Sequence, residues 1–169
     1  LSSAPAVESP FLSAILRHSA HGSRDLLGLP VDPALPEREI GRLADRLRPE
    51  VGGAVDGGEV VSAFRRILLV EEGFTYDKSA SDPGNYLLGS VLARKKGNCL
   101  GLSMLYLALA DRLGLPFRGV YVPSHCFVRY EGSGAHVNVE FAEGGASWED
   151  DRYRREFRVR PGRPYLFSL

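Results

Sequence analysis

The first two thirds of the chain carry apolar residues at helical spacing. In the segment 36–50, one helical stripe holds Ile40, Leu43, Ala44 and Leu47. Pro36 stands near the start of that segment, where proline is tolerated because the first N–H groups of a helix lack partners. The same period predicts a helix from about Glu59 to Glu72, and shorter helices over 11–21 and 86–94. Residues 1–10 and the Gly-rich segment 51–59 break the pattern and are interpreted as a tether and a linker.

A longer segment, CLGLSMLYLALADRL (Cys99 to Leu113), is apolar on nearly all sides. That pattern is typical of a helix packed within a domain and not lying on its surface. Asn98 is a suitable N-cap for this helix. Gly114 and Pro116 supply the left-handed residue and the breaker that end it.

After this helix the pattern changes to alternation, which predicts strands. The predicted strands are FRGVYV (117–122), HCFVRYE (125–131) and HVNVEFA (136–142), with EFRVR (156–160) as a candidate fourth. The turn formers at 132–134 join the second strand to the third in a hairpin. Helices followed by strands predict an α+β fold with an antiparallel sheet against the central helix. We expect one domain over residues 11–169, helical to about residue 114 and a sheet from about 115.

Composition excludes several classes of function. The chain has 169 residues, 44% of them hydrophobic, and its 21 Lys and Arg balance 21 Asp and Glu. Because the net charge is zero, we expect no nucleic-acid partner. No uncharged apolar run is long enough for a membrane span, so a soluble protein is expected. Two cysteines suit neither a disulfide framework nor a zinc site, and no metal or cofactor is predicted.

Compartment and oligomeric state stay open at this point. The chain begins without Met on a small-residue lead, LSSAPAVESPF, which indicates the trimmed start of a larger or exported protein. A cytoplasmic location fits as well. His18 and His21 are interpreted as a polar helix face and not as half of a metal site. The basic run 152–163 follows the acidic WEDD (148–151), so the pair is interpreted as a solvated surface.

The lengths of two consecutive elements bring Cys99 close to His125. A helix from Cys99 to Leu113 advances roughly 22 Å at 1.5 Å per residue, and the next strand returns about 23 Å. The tight turn between them indicates that helix and strand run antiparallel. His125 is therefore expected near the helix N-terminus, where Cys99 stands.

The hairpin adds a carboxylate to this pair. With its tip at 133–134, the register pairs Phe127 with Glu140. Glu140 is then diagonal to His125 and within hydrogen-bonding reach, whereas Asn138 lies roughly 13 Å along the strand from it. One face of the hairpin is apolar and is predicted core: Cys126, Val128, Tyr130, Val137, Val139 and Phe141. The other face carries His125, Phe127, Arg129, His136, Asn138 and Glu140.

These residue types in this arrangement are those of thiol-dependent acyl transfer. A helix N-terminus stabilises a thiolate at Cys99, and the basic run 94–96 just upstream is expected to add positive potential. His125 forms the imidazolium partner and protonates a leaving amine, while Glu140 fixes the orientation of the ring. The backbone N–H of Cys99 is the first candidate donor to an oxyanion. The auxiliary candidates are Asn98, Asn85 and Asn138.

The segment from Tyr86 to Gly145 resembles the transglutaminase-like superfamily, in its bacterial type. Cys99 after Gly97 matches the G-x-C segment that opens the family's central helix. His125 in PSHCFVR and Glu140 in NVEFAEGG match its His and acidic residue, and FTYD (74–77) resembles its approach to the site. Two departures are that Glu replaces the usual Asp, and that the tryptophan common near these strands is missing.

The resemblance implies a papain-like core and a peptide or protein substrate. It also implies acyl transfer from an amide through a thioester, ending on water in a peptidase or amidase, or on an amine in a transglutaminase. The catalytic residues would be Cys99, His125 and Glu140, with no cofactor.

A binding module without activity is the alternative function. Some branches of this superfamily have lost the cysteine and bind a peptide or a partner protein. Cys99 alone would more simply be a small buried residue of an apolar helix, but three motifs at these spacings favour a nucleophile. Cys126 is interpreted as core, and Arg129 and His136 as surface or substrate-cleft residues.

Overall fold

The computed structural model describes residues 13–15, 17, 34–54, 56–132 and 136–160. The predicted tether, His18, His21 and the hairpin tip at 133–134 fall outside these residues. Of the predicted helix over 11–21, residues 13–15 and 17 are helical. Within the described ranges, no helix combines the length and the apolar character needed to cross a bilayer.

The helical half begins with two helices that were predicted from the apolar stripes. Helix α1 (Leu35–Gly52) buries the predicted stripe and has proline in its first turn. Helix α2 (Gly57–Phe64) is capped by Asp56 and continues as a π-helical segment (Arg65–Glu71). The helix predicted over 59–72 is correct in position, but the change of helix type was not anticipated.

The central helix has the predicted bounds. Helix α4 (Cys99–Leu113) follows a 3-10 turn (Pro83–Tyr86) and a short helix α3 (Leu88–Arg94). The Asn98 side chain accepts the N–H of Gly101 at 3.0 Å, and Gly114 ends the helix at φ 67°, which glycine adopts without strain. Because α4 packs against α1, α3 and the sheet together, it is apolar around most of its circumference.

Two small sheets complete the framework of the site. Strands β1 (Thr75–Tyr76) and β2 (Lys96–Gly97) pair in parallel and bring FTYD beside the residues that precede α4. The antiparallel sheet has the order β3 (Phe117–Val122), β4 (His125–Tyr130), β5 (Val137–Val139). Its β4–β5 register, with Val128 opposite Val139, is the one predicted. Strand β5 is shorter than predicted, since a 3-10 turn (Phe141–Glu143) begins right after Glu140.

The fourth strand predicted over 156–160 is wrong, because residue 156 ends a helix and 157–160 form a turn and irregular backbone. Helix α5 (Asp150–Glu156) has acidic residues in its first turn and basic residues in its last, which suits the helix dipole. Tyr153 and Phe157, four residues apart, pack on Val120, Val122 and Phe127 of the sheet. The run expected to be only a solvated surface therefore covers the second face of the sheet.

Candidate active site

The basic run before Cys99 anchors the loop that enters α4. The ion pairs are Arg94 with Asp82 at 2.6 Å, Lys95 with Glu72 at 2.7 Å, and Lys96 with Asp77 at 2.9 Å. Lys95 also adopts a left-handed backbone, φ 53°, at the end of α3. Because a carboxylate neutralises each cation, the basic run does not supply the positive potential that was expected at the thiol. Its role is structural.

Asn85 holds the same loop against the first turn of α4. Its carbonyl oxygen accepts the N–H of Asn98 at 3.1 Å, and it lies so close to Gly101 that a Cβ there would overlap it. Its side-chain amide donates to the Ser79 carbonyl at 3.1 Å, while its Oδ1 accepts from Arg94 at 3.0 Å. The Asn85 side chain is thus engaged within the loop and does not face the thiol. Of the three auxiliary candidates, Asn98 lies next to Cys99 as its cap.

The structure brings Cys99, His125 and Glu140 together at one end of the sheet. His125 Nε2 lies 2.7 Å from Glu140 Oε2, and the Glu140 side chain is buried. The other carboxylate oxygen, Oε1, accepts the N–H of Ala142 at 2.9 Å. Because Nε2 faces Glu140, the second ring nitrogen, Nδ1, is left to interact with the partly exposed sulfur of Cys99.

Electrostatics favour an ion pair between Cys99 and His125. Hydrogen bonding from Cys126 and then from His125 outweighs burial and holds the pKa of the Cys99 thiol far below its ordinary range. Burial lowers the pKa of His125, but the Cys99 and Glu140 side chains overcome it and raise that pKa from 6.5 to about 9. These shifts favour a thiolate at Cys99 and an imidazolium at His125 at neutral pH.

Cys126 is buried as predicted, and it lies under the first turn of α4, the helix that Cys99 opens. Its sulfur is 4.0 Å from Ser103 Oγ, one helical turn after Cys99 on the same face of α4. The neighbouring Cys99 thiolate, followed by burial, raises the pKa of the Cys126 thiol. The opposite shifts of the two thiols therefore favour a protonated Cys126 beside an ionised Cys99.

Helix α5 closes the far side of the cluster. The His125 ring stacks on Phe157 with centroids 4.7 Å apart, and Tyr153 stacks on Phe127 at 3.8 Å. The Tyr153 hydroxyl is buried, and burial together with the nearby Glu140 charge raises its pKa. Sequence reasoning missed these two aromatic residues. Their i, i+4 spacing and the acid-to-base order along 150–155 would have revealed the helix.

A buried polar network joins the sheet to the start of helix α5. Arg129, 6% exposed, donates to Asn138 Oδ1 at 2.8 Å and to Asp150 at 2.5 Å. The Asn138 amide donates to the Trp148 carbonyl at 2.7 Å and to Asp150 at 2.9 Å. Arg129 is therefore not a surface or cleft residue, and Asn138 is engaged away from the thiol. His136 is exposed as expected, with Nε2 3.3 Å from Asp150.

Two surface pockets reach residues that flank the cluster. One, of about 510 Å³, is lined by Ala80, Ser81, Pro83, Tyr86, Leu87, Leu100 and Met104. The other, of about 400 Å³, includes Tyr76, Leu102, Phe141 and Ala142 in its lining. Leu100 follows Cys99 directly, and Phe141 follows Glu140. A ligand in either pocket would therefore border a residue next to the cluster.

Comparison with known proteins agrees with this fold. A family model described as "Transglutaminase-like superfamily" matches residues 36–161, about three quarters of the chain. The chain therefore belongs to the transglutaminase-like superfamily, as the resemblance of its three motifs predicted. A solved structure described as "Crystal structure of a TGase" has the same fold, with a TM-score of 0.53 and 16% identity. That match covers 93% of this chain and 49% of the other.

Curated relatives are similar over part of the chain. A protein named UPF0162 protein from Xylella fastidiosa (strain 9a5c) is 30% identical over 102 residues, which cover 60% of this chain and 36% of the relative. A UPF0162 protein from Vibrio cholerae serotype O1 is 36% identical over 73 residues, covering 43% and 27% respectively. The matched region thus spans about a third of the length of these relatives.

Proposed function

We propose that this domain transfers acyl groups from amide bonds of a peptide or protein through a thioester on Cys99. The supporting observation is that Glu140 Oε2 lies 2.7 Å from Nε2 of His125 in the cluster that also contains Cys99, the first residue of α4. The pKa shifts of Cys99 and His125 favour a thiolate–imidazolium pair there. This arrangement matches the roles of nucleophile, general acid–base and orienting carboxylate in cysteine hydrolases and acyltransferases. We propose the same acyl transfer for any longer protein that contains this domain.

The proposed reaction begins when the Cys99 thiolate attacks the carbonyl carbon of the amide. The His125 imidazolium, through Nδ1, gives its proton to the nitrogen of the leaving amine, and a thioester forms on Cys99. Neutral His125 then takes a proton from the acceptor, water or an amine, as it attacks the thioester. Glu140 keeps Nδ1 directed at the sulfur because its own position is fixed by the N–H of Ala142.

The oxyanion of this reaction is assigned to the first turn of α4. The Asn98 side chain and carbonyl already accept the N–H groups of Gly101 and Leu102. We therefore assign the N–H groups of Cys99 and Leu100, which come next toward the N-terminus, to the oxyanion. The Asn98 amide is the auxiliary donor nearest to them. The pocket that includes Leu100, the residue after Cys99, would hold the group that carries the acyl carbon.

The experiment follows acylation of Cys99 with p-nitrophenyl acetate as a generic acyl donor. Intact-mass measurement is expected to find one acetyl adduct, released by hydroxylamine, in the wild type and none in Cys99→Ala. His125→Gln should slow acylation by about 10²–10⁴-fold, the usual contribution of a positioned acid–base group. Glu140→Gln should slow it less, because an amide oxygen can still accept the N–H of Ala142.

Controls separate chemistry from folding and water from amine as acceptor. The free energy of unfolding of each variant shows whether it is folded. Added methylamine tests the acceptor: formation of N-methylacetamide would indicate transamidation, whereas formation of acetate would indicate hydrolysis. A folded wild type without an adduct on Cys99 would support the alternative, a binding module. Acylation at the same rate in His125→Gln would contradict the assigned acid–base role.

A further inference from the structure

The sequence holds two cysteines, and the fold brings both into one cluster. Cys99 opens α4, while Cys126 lies on β4 next to His125, with its side chain toward α4. The 4.0 Å contact between Cys126 and Ser103 fixes Cys126 beneath the first turn of that helix. Cys99 is partly exposed and Cys126 is buried. An oxidant from solvent therefore meets Cys99 first, with a second thiol directly behind it.

The sulfur chemistry of the two residues is complementary. The thiolate form of cysteine reacts with peroxides, and the lowered pKa of Cys99 favours the thiolate at neutral pH. Cys126 lies under the first turn of α4, 4.0 Å from Ser103 Oγ, and its raised pKa favours the thiol form, so it is in position to react with whatever forms at Cys99. A disulfide requires a sulfur–sulfur bond of about 2.0 Å, so its formation requires the first residue of α4 to move toward Cys126.

We propose that a peroxide converts Cys99 and Cys126 into a reversible intramolecular disulfide that switches the site off and protects the nucleophile. This proposal rests on the thiolate of the proposed function but not on acyl transfer itself. The disulfide would occupy the sulfur that attacks the acyl donor. It would also stop Cys99 at an oxidation level from which thiols can restore it.

Formation of the disulfide takes two steps. The Cys99 thiolate attacks one oxygen of hydrogen peroxide; a sulfur–oxygen bond forms, the oxygen–oxygen bond breaks, and the leaving hydroxide takes the His125 proton to become water. The Cys126 sulfur then attacks the Cys99 sulfenic acid. A sulfur–sulfur bond forms, the sulfur–oxygen bond breaks, and the hydroxyl leaves with the Cys126 proton as water. A dithiol reductant returns two electrons and two protons to restore both thiols.

The test treats the reduced full chain with hydrogen peroxide and identifies the products by mass spectrometry. Tryptic digestion places Cys99 in peptide 97–112 and Cys126 in peptide 119–129. The expected wild-type product has two hydrogens fewer, the two peptides cross-linked and no reaction with iodoacetamide. Dithiothreitol should restore the starting mass. The contrary result is a wild type that gains oxygen atoms on Cys99 and yields no cross-linked peptide.

The matched variant is Cys126→Ser, which keeps a hydroxyl donor at the position but cannot form the disulfide. At the same peroxide dose its Cys99 should proceed to sulfinic and sulfonic acids, so that dithiothreitol no longer restores p-nitrophenyl acetate acylation. Equal recovery in the wild type and in Cys126→Ser would overturn the protective role. The cross-linked peptide is scored whether or not the wild type is acylated, so failure of this proposal and failure of the proposed function are distinguishable.

Discussion

The face of the three-stranded sheet that packs on α4 and the face that packs on α5 are both buried, but with different chemistry. Toward α4 the sheet presents apolar side chains such as Val128, Tyr130 and Val139, which join the main core. Toward α5 it presents the apolar Val120, Val122 and Phe127 together with polar groups. These polar groups, Arg129 and Asn138, are buried with hydrogen-bonding partners, as is Glu140 at the end of β5.

The two kinds of environment therefore differ in how sensitive their stability is to substitution. The apolar face is stabilised by area removed from water, which is non-directional and tolerates small changes of shape. The polar face is stabilised only while each buried group keeps its partner, since an unpaired buried charge costs several kcal/mol. Glu140 belongs to the second kind of environment, and it holds the imidazole that faces the thiol.

The largest effect on stability is expected from Arg129→Met. The change leaves Asp150 and Asn138 without the guanidinium they bind, and breaking a buried ion pair costs about 3–5 kcal/mol. Arg118→Met is the matched control, because Arg118 lies opposite Arg129 on β3 but is exposed. Its replacement should cost about 0–1 kcal/mol. Urea denaturation measures the free energy of unfolding of both variants. Equal losses would show that the buried network is no more sensitive to substitution than the exposed position.

A smaller loss is expected one residue away, from Val128→Ala on the apolar face. Two fewer methyl groups and a small cavity should lower the free energy of unfolding by about 2 kcal/mol. The pH dependence of Cys99 alkylation should stay unchanged, because Val128 points away from the polar network. A shifted alkylation profile would show that the two faces are not independent.

The smallest effect is expected from Phe157→Ala, which uncovers one side of the His125 ring. The lost aromatic contact is worth about 0.5–1.5 kcal/mol, so acylation should slow roughly twofold to tenfold. Burial lowers the pKa of an imidazolium, so uncovering the ring should move the alkaline limb of the pH profile upward. Phe157→Tyr should restore both the rate and the pH profile. If Phe157→Ala changes neither, Phe157 does not influence His125.

The sequence predicted those parts of the fold that depend on neighbouring residues. The bounds of α4 follow from the Asn98 cap and Gly114, and the β4–β5 register follows from alternation around a short turn. Those two predictions bring Cys99, His125 and Glu140 together. They required no knowledge of what covers the sheet.

The remaining features depend on contacts between distant segments. The segment EFRVR has strand-like residues, but burial of Tyr153 and Phe157 on the sheet decides in favour of a helix at 150–156. Arg129 looks like a surface residue until Asp150, 21 positions later, supplies its counter-ion. Likewise, the contact of Cys126 with Cys99 arises from packing of β4 under α4, which alternation along the strand does not specify.

The pH dependence of Cys99 alkylation tests the thiolate–imidazolium pair most directly. Iodoacetamide incorporation is followed separately in peptides 97–112 and 119–129. We predict that Cys99 reacts much faster than Cys126 at neutral pH, at a rate that is nearly constant between about pH 6 and 8 and falls only in acid. A Cys99 rate that climbs through about pH 8.5, as for an ordinary thiol, would contradict the ion pair.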